Sequence, residues 1–287
     1  YDFAPRQKNE RSRVWDIGVT DTYVLYNTAD EDRTVTIAYP FAGSFNKLDR
    51  PRLTLDGAEL TTELHSGPYS GGFQGTGDSV TESLNLANIN SWEGYRALLE
   101  DGEYLNEALE EYRELSVPIM VYEFTNITDG GSDAVNPTLN MTFNIDYDKT
   151  IILTYGFNGG RYDPDTGDTA RHFSIPKEGT RLYGKPFYLI ALGGDIGEYS
   201  LQGYQNGGCE PGEELKGASA SVRRYETSLG ELMRTIAKDF YDEVFNSEYD
   251  GDDNRFIEQG IGFDMFYGEI CRFFARFGVI GEEAKDP

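Results

Sequence analysis

The chain has 287 residues, of which 38% are hydrophobic and 26% are charged. The length is enough for roughly two domains. The composition fits a globular protein and argues against disorder. Its 50 acidic residues against 25 basic ones give a formal net charge of −25. Such a surface repels phosphate backbones and anionic lipid heads, so we predict no direct binding of nucleic acid. The acidity suits a cation such as Ca²⁺ or a basic partner, or it serves only to keep a surface protein soluble.

The aromatic content favours β-structure. The chain has 20 Tyr and 17 Phe, and both side chains fit a pleated, half-buried surface. Two cysteines leave two alternatives open. A disulfide between Cys209 and Cys271 would tie the β-region to the C-terminal helices and contribute on the order of 4 kcal/mol. Otherwise both are reduced thiols. Neither cysteine has the spacing of a metal ligand.

The sequence predicts no membrane insertion of this segment. The longest apolar stretch, residues 261–280, is interrupted by four charged residues and is typical of a buried amphipathic helix: Asp264, Glu269, Arg272 and Arg276. The chain begins at Tyr1 without a methionine. We therefore expect a mature or trimmed part of a longer protein, from which a leader or an anchor has been removed.

The first elements in the chain are predicted strands. Residues 22–26 are strand-like, residues 27–33 supply turn-forming side chains, and residues 34–39 alternate polar and apolar with a period of two. Pro40 ends this pattern, because proline cannot donate to a ladder. The pattern predicts a strand, a turn and a second strand.

A second hairpin is predicted next. Residues 52–57 read as a strand that runs into an Asp-Gly turn, and residues 58–64 return from it. A glycine-rich stretch, residues 65–77, follows but lacks the Gly-Lys-Ser/Thr ending of a phosphate loop. We assign residues 14–90 to a first β-sandwich-like segment.

The remaining chain divides into three predicted parts. Residues 91–115 have helical periodicity and form a predicted insertion, and residues 116–225 form a second β-sandwich-like segment. Its predicted strands are residues 119–124, 138–145, 150–155, 172–175, 186–191 and 199–201. Residues 226–287 form a C-terminal helical segment, whose first helix begins at a capping box of Ser228 and Glu231. Strands followed by helices indicate an α+β, mainly β fold.

Two segments of the chain have similar sequences. Residues 23–30 (YVLYNTAD) precede one alternating stretch, and residues 122–129 (YEFTNITD) precede the alternating residues 138–143. Residues 23–40 resemble the start of immunoglobulin-like modules in secreted bacterial proteins. They are also similar to an uncharacterised family of bacterial extracytoplasmic proteins. The resemblance implies immunoglobulin-like β-sandwiches at the cell surface and carries no catalytic residues over.

One loop has the composition of a calcium site. Asp163, Asp165 and Asp168 lie close together with Gly167, and carboxylate oxygens are the ligands that Ca²⁺ prefers. The loop lacks the spacing and the distal Glu of an EF-hand. It predicts an irregular calcium site, and the alternative is a solvated turn.

Catalytic patterns are weak. His65 adjoins Ser66 and His172 lies near Ser174, but no Gly-x-Ser-x-Gly elbow is present. Fifty acidic residues give many chance carboxylate pairs, so a glycosidase pair cannot be selected. The sequence favours an extracellular or cell-surface, non-catalytic module that binds a protein or a glycan or has a structural role. A carbohydrate-active hydrolase that uses an Asp/Glu pair is the alternative.

Overall fold

The computed structural model describes residues 2–5, 15–18, 20–35, 37, 39, 50–66, 93, 112–245, 256–257 and 260–276. The chain divides into two compact units, Tyr1–Phe41 and Ala42–Pro287. Most of the predicted insertion and most of the glycine-rich stretch lie outside the described residues. The predicted segment boundaries therefore stay predictions.

Among its described residues, the first unit contains a strand pair and a turn that a side chain stabilises. Strand β1 (Asp2–Pro5) pairs antiparallel with β2 (Trp15–Gly18). In the predicted turn, Asn27 Oδ1 accepts from the backbone N–H of Ala29 at 3.0 Å, and Asn27 Nδ2 donates to the carbonyl of Glu31 at 2.9 Å. The side chain of Asn27 thus replaces backbone partners, as asparagine does in turns.

The described residues on either side of that turn do not form the predicted strands. Residues 22–26 lie outside any strand, as do residues 34, 35, 37 and 39 of the second stretch. Tyr26 is 83% exposed and Val24 is 70% exposed. A period-two pattern records strand propensity, but a strand also needs a neighbour for its backbone groups and its apolar face. The prediction of a strand at residues 22–26 was wrong. A single sequence does not show whether a neighbouring strand is available to pair with such a stretch.

The second unit begins with the predicted Asp-Gly hairpin, in shortened form. Strand β3 (Thr54–Leu55) pairs with β4 (Ala58–Glu59). Asp56 and Gly57 connect them with φ of 50° and 86°. Positive φ at both central residues is what a type I′ turn requires, and Asp-Gly tolerates it well.

Two four-stranded antiparallel sheets contain most of the described strand residues. The first sheet has the order β12-β5-β10-β7 and the second has the order β11-β6-β9-β8. The strands are β5 (Pro118–Thr128), β6 (Thr138–Asn144), β7 (Ile151–Tyr155), β8 (Gly159–Tyr162), β9 (Asp168–Ser174), β10 (Phe187–Leu192), β11 (Tyr199–Tyr204) and β12 (Ser219–Ser228). The prediction of a mainly β fold is confirmed.

The sheets share one apolar core, which the alternation of β6 helps to build. Leu139, Met141 and Phe143 point to this core and are at most 6% exposed. Phe173 of the second sheet lies at its centre, with ring centroids 5.7 Å from Phe124 and 4.8 Å from Phe187 of the first sheet. Edge-to-face aromatic packing of this kind stabilises a pair beyond its buried area.

Helices cover the other face of the first sheet. Helix α1 (Leu229–Phe240) continues into one π-helical turn (Tyr241–Phe245), and α2 (Phe263–Arg276) follows later. The predicted cap is confirmed, since Ser228 Oγ accepts from the N–H of Glu231 at 3.2 Å. Both helices pack with strands β5 and β10 in a second apolar cluster. None of the described helices is long and apolar enough to cross a membrane.

Arg234 connects the two helices with the chain that enters β5. Its guanidinium donates to Glu114 at 3.0 Å and to the Tyr112 hydroxyl at 3.1 Å, and it lies 4.3 Å from the ring centroid of Tyr267. Tyr267 in turn donates to the carbonyl of Gly230 at 3.1 Å. This cluster fixes how the helices sit on the sheet.

Both cysteine thiols are free in this structure. Cys271 is buried in the helix–sheet cluster, whereas Cys209 lies in the turn after β11. Of the two alternatives, the structure has reduced thiols.

Candidate functional site

The three aspartates of the predicted calcium site lie in the hairpin loop between β8 and β9. Asp163 and Asp168 close the loop, since the N–H of Asp163 donates to the carbonyl of Asp168 at 2.9 Å. The carboxylate of Asp163 accepts from the backbone N–H of Asp165 at 3.0 Å and of Thr166 at 3.3 Å. One carboxylate oxygen is thus already used to stabilise the turn.

A second contact holds the other end of this loop against β6. Asn144 Nδ2 donates to the Asp168 carboxylate at 3.0 Å and to the carbonyl of Thr166 at 2.8 Å. Gly167 has φ of 79°, and a Cβ at this position would clash with the carbonyl of Ile145. The close approach and the positive φ both require glycine here.

An open depression of about 390 Å³ adjoins the loop. Residues 144–148 and 164–167 line it, and they include the carboxylates of Asp146, Asp148 and Asp165. A hydrogen bond from Lys149 lowers the pKa of Asp146, so its carboxylate is ionised at neutral pH. The depression is therefore an acidic surface, and Lys149 beside it pairs with the carboxylate of Asp146.

The calcium prediction stays a prediction. The loop brings Asp163, Asp165 and Asp168 together, but no group of three or more His, Cys, Asp or Glu side chains among the described residues is arranged to hold a metal ion. Ca²⁺ takes about six to eight oxygen ligands. Oxygens of Asp163 and Asp168 already accept hydrogen bonds from the protein.

A polar network at an edge of the core was missed by sequence reasoning, and it contains the fully buried Tyr122. The Tyr122 hydroxyl donates to Asp195 Oδ1 at 2.6 Å, and Arg224 donates to Asp195 Oδ2 at 2.7 and 3.2 Å. The N–H of Ile196 also donates to Oδ1, at 2.9 Å. No local signal joins these residues, which come from β5, β12 and the turn after β10 and meet only through the sheet pairing.

The pKa shifts of Asp195 and Tyr122 fit a structural role for this network. Burial would raise the pKa of Asp195, but the hydrogen bonds from Tyr122, Arg224 and Ile196 outweigh it and lower the pKa. Burial and the bond to Asp195 raise the pKa of Tyr122 to about 12. Asp195 is therefore an ionised acceptor and Tyr122 a neutral donor throughout the physiological range.

The pKa values of two other carboxyl groups are also lowered. The N–H of Gly212 lowers the pKa of Glu214, and the Thr227 hydroxyl lowers that of Glu231. A glycosidase general acid requires the opposite shift, because it must stay protonated near neutral pH. These carboxylates hold a turn and a helix cap.

The two histidines lie in different surroundings, and neither forms a triad with its neighbouring serine. His65 Nε2 lies 3.7 Å from a Glu63 carboxylate oxygen, in an exposed position. His172 lies half-buried in β9, and burial lowers its pKa. Ser174, which the sequence placed near His172, accepts a hydrogen bond from Asn158 Nδ2 at 3.0 Å.

Comparison with protein-family models, with curated proteins and with solved structures finds no significant match.

Proposed function

We propose that the chain is an extracytoplasmic, non-catalytic binding or structural module of a bacterial surface or secreted protein. The observation that carries this proposal is that carboxylates of the chain accept hydrogen bonds from the chain itself. The described carboxylates with shifted pKa values, Asp146, Asp195, Glu214 and Glu231, are all shifted downward by hydrogen bonds within turns, strands or a helix cap. Groups arranged in this way stabilise a scaffold.

The fold supports the same proposal. Two antiparallel sheets around a large aromatic core provide a rigid platform, and binding modules present their surfaces on such platforms. With β5 to β11 taken as strands A to G, the B-E-D and F-C pairings of an immunoglobulin domain are present. Strands β5 and β11 join the opposite sheets from those that A and G join in that domain. We propose an immunoglobulin-like architecture with exchanged flanking strands.

Charge supports the extracytoplasmic location. A formal net charge of −25 keeps a surface protein dispersed and discourages contact with anionic lipids. Protease treatment of intact cells that make the protein tests this location. The chain should be digested before lysis, and protection until lysis would contradict the proposal.

Incubation with soluble polysaccharides separates a binding module from a hydrolase. We expect no release of reducing ends over long incubation, including from polysaccharides that the chain binds. Release that disappears in D146N or D148N, the variants of the acidic depression, would establish the hydrolase and overturn the proposal.

A further inference from the structure

The outer face of the second sheet carries a row of neutral polar residues across its strands. Gln202 of β11 lies opposite Asn140 of β6, Asn140 lies opposite His172 of β9, and His172 lies opposite Gly159 of β8. Directly paired residues of an antiparallel ladder share a face. Leu139 beside Asn140 points to the core, so this row lies on the other face, away from it.

Asn140 is buried in this row without a full set of partners. The residue is 7% exposed, and Oδ1 is buried with no hydrogen-bond partner among the described residues. An unpaired polar atom in such a place destabilises the folded chain. Such an atom calls for a partner that the described residues do not supply.

His172 lies next to Asn140 on the same face of the sheet. Its ring occupies the space above Gly159, where any Cβ would clash with Nε2. The turn after β11 approaches from above, since a Cβ at Gly207 would lie 3.8 Å from Nε2. Burial lowers the pKa of His172, so the ring is neutral at neutral pH and offers one donor and one acceptor.

We infer that Asn140, His172 and Gln202 form a binding site for a neutral, hydroxyl-rich ligand, a glycan, on the outer face of the second sheet. This inference rests on the proposed binding function and names its ligand class. Carboxamides and a neutral imidazole each offer donors and acceptors, which matches the hydroxyl groups of a sugar.

The surroundings favour a sugar over a charged ligand. Tyr204 lies on the same face, two residues from Gln202 and half-buried, and its ring offers a surface on which a sugar can stack. The charged residues nearby have opposite signs. Burial raises the pKa of Cys209 in the adjoining turn, while Arg161 lowers it and Glu210 raises it. Charges of both signs therefore lie beside this turn.

Affinity gel electrophoresis tests the inference, with neutral polysaccharides as the probes: laminarin, xyloglucan, galactomannan and dextran. The acidic chain migrates readily, and we expect at least one polysaccharide to slow it. N140T and H172A should weaken the retardation by at least about tenfold. H65A is the matched control, because His65 is the other histidine of the chain and lies in an exposed position. It should leave the retardation unchanged.

Thermal melting distinguishes a ligand site from a structural role. N140T removes the unpaired oxygen, so its Tm should equal or exceed that of the parent chain while binding is lost. A clear fall in Tm would make Asn140 a structural residue and overturn the inference. Equal retardation of N140T, H172A and the parent chain would also overturn it, but would leave a glycan-binding function in place. Retardation by none of the four polysaccharides would overturn the glycan site, and the reducing-end assay would still test the proposed function.

Discussion

Removal of the Asp195 carboxylate tests whether the network beneath it stabilises the two-sheet core. Tyr122 is fully buried and donates to Asp195 at 2.6 Å. D195A leaves that hydroxyl without its acceptor, at a cost of about 2–3 kcal/mol. Y122F leaves Asp195 with Arg224 and Ile196 as donors, and should cost about 1 kcal/mol.

The double variant isolates the coupling between the two groups. D195A/Y122F has no orphaned hydroxyl, so its destabilisation should fall short of the sum of the single variants by about 1–2 kcal/mol. R224A is the control. Its side chain is 53% exposed, and breaking an exposed ion pair costs only about 0–1 kcal/mol.

Urea unfolding followed by tryptophan and tyrosine fluorescence measures these free energies. Additivity within about 0.5 kcal/mol would refute the coupling. A larger loss in R224A than in D195A would instead place the stability in the exposed ion pair.

The same network sets a dependence on pH. Because the folded pKa of Asp195 is lowered, its contribution is complete above the unfolded value of about 4 and is lost as pH falls through the folded pKa. The difference in unfolding free energy between the parent chain and D195N should therefore shrink in acid. A difference that stays constant down to low pH would contradict this assignment.

Three further predictions concern single elements. S228A removes the cap of α1 and should cost about 1 kcal/mol in urea unfolding; no loss would mean that the cap is redundant. G193A combines positive φ with a backbone clash and should lower Tm well below that of G197A, which has positive φ but open space around it. Equal Tm values would show that the turn relaxes. If calcium binds in the β8–β9 loop, the Tm of the parent chain should be higher in Ca²⁺ than in EDTA, and the double variant D163N/D168N should abolish this difference. Equal Tm values of the parent chain in Ca²⁺ and in EDTA would contradict the site.

Local signals in the sequence were sufficient where one element carries its own pattern. Ser228 and Glu231 predicted the start of α1, and Asp56-Gly57 predicted a hairpin turn. The alternation of residues 138–143 predicted β6, because one face of that strand meets an apolar core. The cap and the turn are each stabilised by residues within the motif itself. The strand is stabilised by burial of the apolar face that its alternation creates.

Predictions failed or were missed where the decisive partner is distant in sequence. Residues 22–26 and residues 122–124 both have a strand-like pattern, but of these two stretches only the latter lies in a strand with neighbours on both sides. The Asp195 network and the row around Asn140 join residues from different strands, and only the sheet register brings them together. A single sequence contains no signal for that register.

A titration of the ¹⁵N-labelled chain with a neutral oligosaccharide, followed by NMR, tests binding without turnover in one sample. The account predicts shifts of the backbone amides of β6, β9 and β11 around Asn140, while the sugar spectrum keeps its original anomeric signals. New reducing-end signals from the sugar would contradict it.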